Sequence, residues 1–166
     1  MRTEPSSYSA GRPGSSRPPA TPRSAAEKPM SLDDPVATAL RVASLLERAD
    51  IRYALYGGLA VAAYGVPRET KDADVAVVSV NAGEVAALFE ADGLRAAQAF
   101  DQVRFGGLTV SRITLLGGDQ DVGLNTVDLV EPKSARYATA AIARAVRAPL
   151  RGQEIELLAP EDVVLF

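Results

Sequence analysis

The stretch Asp74–Val80 constrains the fold most strongly, because nearly all of its side chains after Asp74 are valine or alanine. A β-rich run without polar alternation predicts a strand that is buried on both faces of its sheet. Such a sheet needs helices on each side. Apolar residues at helical spacing follow Pro35, and a second such stretch covers Glu84–Ala91. The sequence therefore predicts an α/β or α+β fold, with a mixed central sheet flanked by helices.

The remaining elements are predicted from apolar periodicity and from turn residues. Asp33 or Asp34 is expected to cap the first helix, which runs through Ala49, and Asn81 is expected to cap the helix before Gly93. The further predicted helices are Leu59–Tyr64, Ser134–Ala145 and one that begins at Pro160. The further predicted strands are Arg52–Tyr56, Gln98–Val103, Leu108–Leu116, Asn125–Val130, Arg147–Leu150 and Glu154–Leu158.

The chain of 166 residues divides into a tail and one domain. Residues 1–30 are rich in Pro, Ser, Gly and Ala and hold five basic and two acidic residues, which predicts a disordered basic tail over residues 1–31. The domain, residues 32–166, is acidic and is not a general nucleic-acid binder by charge. Because Phe166 ends the sequence where an apolar helix should continue, we expect a domain truncated at its C-terminus. The apolar end Val163–Phe166 is then expected to favour self-association or a partner.

The sequence contains neither cysteine nor histidine. Disulfide frameworks, Cys/His zinc sites, cysteine nucleophiles and Ser-His-Asp triads are therefore excluded. Acid-base or metal chemistry must use Asp, Glu, Lys or Tyr. No apolar run approaches the roughly 20 residues that span a bilayer, and the N-terminus lacks the apolar core of a secretory signal. These features favour a cytoplasmic protein without membrane contact.

Two glycines, Gly57 and Gly58, lie between a predicted strand and a predicted helix. Glycine allows the backbone to approach a ligand closely, and a helix N-terminus presents N–H groups that suit a phosphate. Turns of this kind also occur for packing reasons alone. Arg68 and Lys71 follow on the same stretch, where they either contact phosphate oxygens or balance the neighbouring acids.

Three carboxylates form the most informative pattern. Asp72 and Asp74 are two residues apart at the start of a strand, so their side chains point to the same face. Asp128 lies inside the apolar strand Asn125–Val130, where an acid is rare unless it is paired or metal-bound. If the two strands are neighbours, the three carboxylates converge and can hold a divalent cation for attack on a nucleotide phosphate. A solvated strand start is the alternative for Asp72 and Asp74 taken alone.

The combined pattern resembles the nucleotidyltransferase superfamily, including its polymerase-beta-like and minimal members. Tyr56-Gly57-Gly58 is followed after 13 residues by Asp72-Ala73-Asp74, and Asp128 takes the place of the third acid. The closest similarity is to AbiEii-like toxin nucleotidyltransferases and their uncharacterised relatives. It extends through Gly65–Asp74 and Ala159–Asp162 and covers about residues 35–166.

This resemblance implies transfer of a nucleoside monophosphate from an NTP to an acceptor hydroxyl, with release of pyrophosphate. The acceptor would be a tRNA, a protein or a small molecule, and a cognate antitoxin would be a partner. The implied cofactor is Mg²⁺ or Mn²⁺, and the NTP is a substrate. The implied catalytic and metal-binding residues are Asp72, Asp74 and Asp128, and the nucleotide-binding residues are Gly57, Gly58, Arg68 and Lys71. The alternative is a catalytically impaired, truncated domain that binds a nucleotide or a partner.

Overall fold

A seven-stranded mixed sheet organises the computed structural model, which describes residues 33–117 and 124–166. The predicted tail, residues 1–31, lies outside the described residues. The helices are α1 (Pro35–Arg48), α2 (Gly57–Ala63), α3 (Ala82–Ala91), α4 (Ala135–Ala143) and α5 (Pro160–Leu165). The strands are β1 (Ala54–Leu55), β2 (Ala73–Ala76), β3 (Arg95–Phe105), β4 (Leu108–Leu116), β5 (Leu124–Pro132), β6 (Val146–Leu150) and β7 (Gln153–Leu157).

The strands follow the order β3-β4-β5-β2-β1-β7-β6 across the sheet. β2 pairs parallel to β5 and antiparallel to β1, which itself runs parallel to β7. The β3–β4, β4–β5 and β6–β7 pairs are antiparallel. The predicted mixed sheet flanked by helices is therefore confirmed, with β2 in the middle of the sheet.

Helices cover both faces of the central strands, as the apolar run of β2 requires. Val75 and Val77 lie in a core cluster with α1 and α3, whereas Ala76 lies in a second cluster with α4 and α5. Ala73, Val75, Ala76 and Val77 have no exposed surface. The strand itself ends at Ala76, but Val77 still donates its N–H to the Val130 carbonyl, so pairing with β5 continues one residue further.

The helices begin where the sequence places capping side chains. Asp34 accepts hydrogen bonds from the N–H groups of Val36 and Ala37, and Asn81 and Ser134 cap α3 and α4. Several element boundaries differ from prediction. The largest differences near the site are that Gly57 and Gly58 form the first turn of α2, that β1 and β2 are shorter than predicted, and that β3 extends beyond Gln98–Val103 in both directions. No helix within residues 33–117 and 124–166 combines the length and apolar character needed to cross a bilayer.

The C-terminal helix α5 is half packed and half exposed. Val164 and Leu165 are 82% and 70% exposed, as the prediction of an apolar end requires. Val163 and Phe166, by contrast, pack against the second core cluster, so only part of the predicted apolar end is exposed. The Phe166 ring lies 5.4 Å from the Tyr56 ring, next to the glycine turn. The helix is anchored by the fully buried Asp162.

Candidate active site

The three predicted carboxylates lie together at one end of β2. Asp74 and Asp128 are direct neighbours in the parallel register of β2 and β5, and Asp72 immediately precedes β2. One carboxylate oxygen from each residue lies within 4.8 Å of those of the other two. Asp128 is 7% exposed, while Asp72 and Asp74 are partly buried. The expected convergence is thus observed, and the chemical roles of the residues remain predictions.

The glycine turn packs directly on this acid cluster. Gly57 has φ +63°, a left-handed conformation, and a Cβ at this position would lie 2.0 Å from Oδ2 of Asp74. Tyr56, just before the turn, donates its N–H to the Asp74 carbonyl at 3.0 Å. At Gly58 a Cβ would lie 2.8 Å from Cβ of Thr70. Both positions therefore need glycine for reasons that the structure makes explicit.

Thr70 fixes the first carboxylate of the cluster. Its hydroxyl is 3.1 Å from Oδ1 of Asp72 and 3.2 Å from the Asp72 carbonyl oxygen, close enough to donate to either acceptor. Because Thr70 also faces Gly58, one side chain connects the glycine turn to the acid cluster. This residue was not predicted from the sequence.

Burial, together with the negative charges of Asp72 and Asp128, raises the pKa of Asp74 to about 6. A hydrogen bond from the backbone N–H of Gly58 and the positive charge of Arg112 act in the opposite direction. A carboxylate surrounded by like charges gains stability from a nearby cation. The Gly58 N–H, predicted to hold a phosphate, thus already has a partner in Asp74.

Arg112, on β4, is a second site residue that was not predicted from the sequence. Its Nε and Nη2 atoms donate to Oδ1 and Oδ2 of Asp128 at 2.7 and 2.6 Å, which is a two-point ion pair. Nη2 also lies 3.6 Å from Oδ2 of Asp72. The guanidinium sits over the Phe100 ring, 5.5 Å from its centre. The hydrogen bonds to Asp128, and the negative charges of Asp128 and Asp72, raise the pKa of Arg112 above its usual value.

The pairing of Arg112 with Asp128 could have been predicted from the numbering of the two strands. Residues that face each other across an antiparallel hairpin have numbers that add to a constant, and here Arg112 pairs with Asp128. The midpoint is residue 120, the middle of the Gly-rich and Asp-rich stretch 117–123. An arginine inside the apolar strand Leu108–Leu116 therefore marked the partner of the buried acid.

Arg68 and Lys71 lie on the exposed connection between α2 and β2. Neither makes an ion pair with an acid of the described residues. Burial and the negative charge of Asp74 raise the pKa of the Tyr56 hydroxyl, and the positive charge of Arg68 acts in the opposite direction. Both side chains are exposed, and their predicted contact with phosphate remains a prediction.

The donor set suits a hard divalent cation. Three carboxylates within reach of one another offer only oxygen ligands, which Mg²⁺ and Mn²⁺ prefer over nitrogen or sulfur. Neighbouring acids that raise the pKa of Asp74 supply an electrostatic reason for a cation to bind there. The residues present therefore fit a magnesium or manganese site.

Comparison with known proteins agrees with this site. The family model of Aminoglycoside-2''-adenylyltransferase matches residues 38–116, from α1 to β4. The matched segment is slightly less than half of the chain, so the chain is similar to this family over the first half of its sheet. The family match includes the glycine turn, Asp72, Asp74 and Arg112, whereas Asp128 lies beyond it. No curated protein sequence matches the chain.

Solved structures share the nucleotidyltransferase fold. A candidate nucleotidyltransferase from Thermotoga maritima is similar with a TM-score of 0.52 and 15% identity, over 77% of this chain and 79% of that one. An antigenic nucleotidyltransferase-like protein from Paracoccidioides brasiliensis has a TM-score of 0.50 and 22% identity, over 82% of this chain and 65% of that one. Identities this low establish the fold alone, and the resemblance to AbiEii-like toxins remains a hypothesis.

Proposed function

We propose that the chain transfers a nucleoside monophosphate from an NTP to an acceptor hydroxyl, in a reaction that depends on Mg²⁺ or Mn²⁺. The observation that carries this proposal is the convergence of Asp72, Asp74 and Asp128 within 4.8 Å, directly against the turn at Gly57. A phosphate-sized group at the turn would lie beside the carboxylates that hold the cation. The family-model match over residues 38–116 and the nucleotidyltransferase-like fold support the same class of reaction.

Each residue has a defined part in this proposal. Asp72, Asp74 and Asp128 would hold one or two divalent cations, which neutralise triphosphate charge and polarise the reacting phosphate when bound. Thr70 keeps the Asp72 carboxylate oriented. The Gly57 backbone admits the triphosphate where any side chain would collide with Asp74. Arg68 and Lys71, exposed on the adjacent connection, supply positive charge for the outer phosphates.

The reaction forms one bond and breaks one bond at the α-phosphorus. The acceptor oxygen attacks that phosphorus, and the bond to the pyrophosphate oxygen breaks. The acceptor proton passes to the carboxylate of Asp128, and pyrophosphate leaves with the electron pair of the broken bond. The surrounding side chains thus act mainly by positioning and by charge.

Two measurements test this proposal: transfer of an α-phosphate label to the acceptor, and release of pyrophosphate. The protein is incubated with Mg²⁺, each NTP labelled at the α-phosphate, and acceptors in three groups: hydroxyl-bearing aminosugars, tRNA and protein. The family match makes ATP with an aminoglycoside the first pair to test. We expect NTP-dependent labelling that Asp74→Asn abolishes and that Glu90→Gln, a control for an exposed carboxylate on α3, leaves unchanged. Labelling that survives Asp74→Asn would contradict the proposal.

A second candidate is a module that binds a nucleotide or a partner without transfer. One observation favours it: both oxygens of Asp128 are already paired with Arg112. The same assay separates the two functions. NTP binding without pyrophosphate release, with every acceptor and both cations, would support the binding module.

A further inference from the structure

The ion pair between Arg112 and Asp128 uses the same atoms as the proposed metal site. Arg112 donates to Oδ1 and Oδ2 of Asp128, at 2.7 and 2.6 Å. These are also the two oxygens through which Asp128 would bind a cation. A guanidinium in this fork geometry is a strong, directional partner for a carboxylate.

We infer that Arg112 is a built-in competitor of the divalent cation, and that its two-point pairing with Asp128 sets the affinity of the carboxylate cluster for metal. The inference rests on the proposed function, because it assumes that the cluster binds Mg²⁺ or Mn²⁺. It adds a residue that controls how readily the metal enters. Arg112 is thus a positioning residue that acts through Asp128.

The positive charge of Arg112 opposes the binding of a divalent cation to the same carboxylates. Nη2 of Arg112 lies 3.6 Å from Oδ2 of Asp72 as well as 2.6 Å from Oδ2 of Asp128, so the guanidinium stands between two of the proposed ligands. A divalent ion on the same carboxylates would be repelled by the positive charge of Arg112. At a separation of roughly 5 Å, Coulomb's law gives a repulsion that changes affinity more than tenfold even in a water-like dielectric.

The guanidinium also has a second support that does not depend on Asp128. It lies over the Phe100 ring, 5.5 Å from the ring centre, and Phe100 is paired with Arg112 across β3 and β4. A cation over an aromatic face is stabilised by the ring electrons. Arg112 therefore has a place to remain when a metal ion takes the Asp128 oxygens.

The electrostatic role of Arg112 predicts two opposite effects of removing its charge. Without metal, Asp72, Asp74 and Asp128 would face one another with no cation between them, so the protein becomes less stable. With metal, the competitor is absent and the cluster binds the ion more tightly. A purely structural role would reproduce only the loss of stability.

Binding of Mn²⁺ alone, measured by the electron paramagnetic resonance of free Mn²⁺, tests the inference. The variants are Arg112→Gln, which removes the charge, and Arg112→Lys, which keeps it on a single-point donor. Arg104→Gln is the control, because Arg104 is exposed and pairs with Thr109, on the face of β4 opposite to Arg112. We expect Arg112→Gln to bind Mn²⁺ at least tenfold more tightly than wild type, Arg112→Lys to gain severalfold, and Arg104→Gln to match wild type.

The possible failures are distinguishable. Equal or weaker Mn²⁺ affinity in folded Arg112→Gln, with wild type binding normally, overturns the inference and leaves the proposed function intact. If Arg112→Gln does not fold without metal, unchanged affinity in Arg112→Lys overturns it. Absence of Mn²⁺ binding in wild type and in both variants overturns the inference together with the metal dependence of the proposed function.

Discussion

Gly57→Ala is the substitution that tests the packing of the glycine turn on the acid cluster. The new Cβ would lie 2.0 Å from Oδ2, 2.7 Å from Cγ and 2.9 Å from Cβ of Asp74. Rotation of the carboxylate moves its oxygen away, but Cβ of Asp74 stays too close, so the backbone of β2 or of α2 must shift. Gly57 also has φ +63°, where alanine is strained.

The expected cost has two parts. An alanine in the left-handed region costs about 1–2 kcal/mol. Overpacking against Asp74 adds about 1–3 kcal/mol. The free energy of unfolding should therefore fall by roughly 2–5 kcal/mol, a large part of the ~5–15 kcal/mol that stabilises a typical domain. Mn²⁺ affinity should fall as well, because the Asp74 carboxylate is displaced.

Gly65→Ala provides the matched control for the backbone strain. Gly65 also has a positive φ, +87°, and nothing lies within 4 Å of a Cβ built there. Urea unfolding in EDTA measures both variants, and their difference isolates the collision with Asp74, about 1–3 kcal/mol. If Gly57→Ala unfolds at the same urea concentration as Gly65→Ala and binds Mn²⁺ like wild type, Gly57 does not position Asp74.

Three further predictions concern charge. Burial and neighbouring acids raise the pKa of Asp74 from 3.8 to about 6, so the folded protein holds a proton on Asp74 more tightly than the unfolded chain does, and the free energy of unfolding in EDTA should fall as the pH rises from about 4 to about 6. In urea titrations Asp74→Asn should lack this fall and should exceed wild type in stability by up to about 3 kcal/mol above pH 6. Millimolar Mn²⁺ should raise the thermal midpoint of wild type, and Asp74→Asn should remove most of this increase. At a Mn²⁺ concentration of 100 times the dissociation constant, the free energy of unfolding should rise by about 2.7 kcal/mol. Tyr137→Phe, which removes one hydrogen bond to the buried Asp162, should cost about 1 kcal/mol in urea unfolding, and Asp162→Asn should cost more, whereas Glu161→Gln on the exposed side should cost little.

The sequence was sufficient to predict what depends on local pattern. The apolar run after Asp74 predicted a strand covered on both faces, and the two-residue spacing of Asp72 and Asp74 predicted a shared face. Convergence with Asp128 was conditional, because it required β2 and β5 to be neighbours. Pairing of strands that are some 50 residues apart depends on tertiary packing rather than on local preference. The packing of Phe166 beside Tyr56 was not predicted, for the same reason.

Arg112 escaped prediction because a buried acid in an apolar strand is stabilised either by a metal ion or by a paired cation, and no partner cation for Asp128 was identified from the sequence. Both solutions satisfy the rule that a buried carboxylate needs a positive partner. The hairpin register would have supplied the second, since residues reflected about position 120 place Arg112 opposite Asp128. When the two solutions occur at one carboxylate, they compete for the same oxygens. The arginine that balances the charge of Asp128 in the folded protein is therefore also the group that any metal ion must displace.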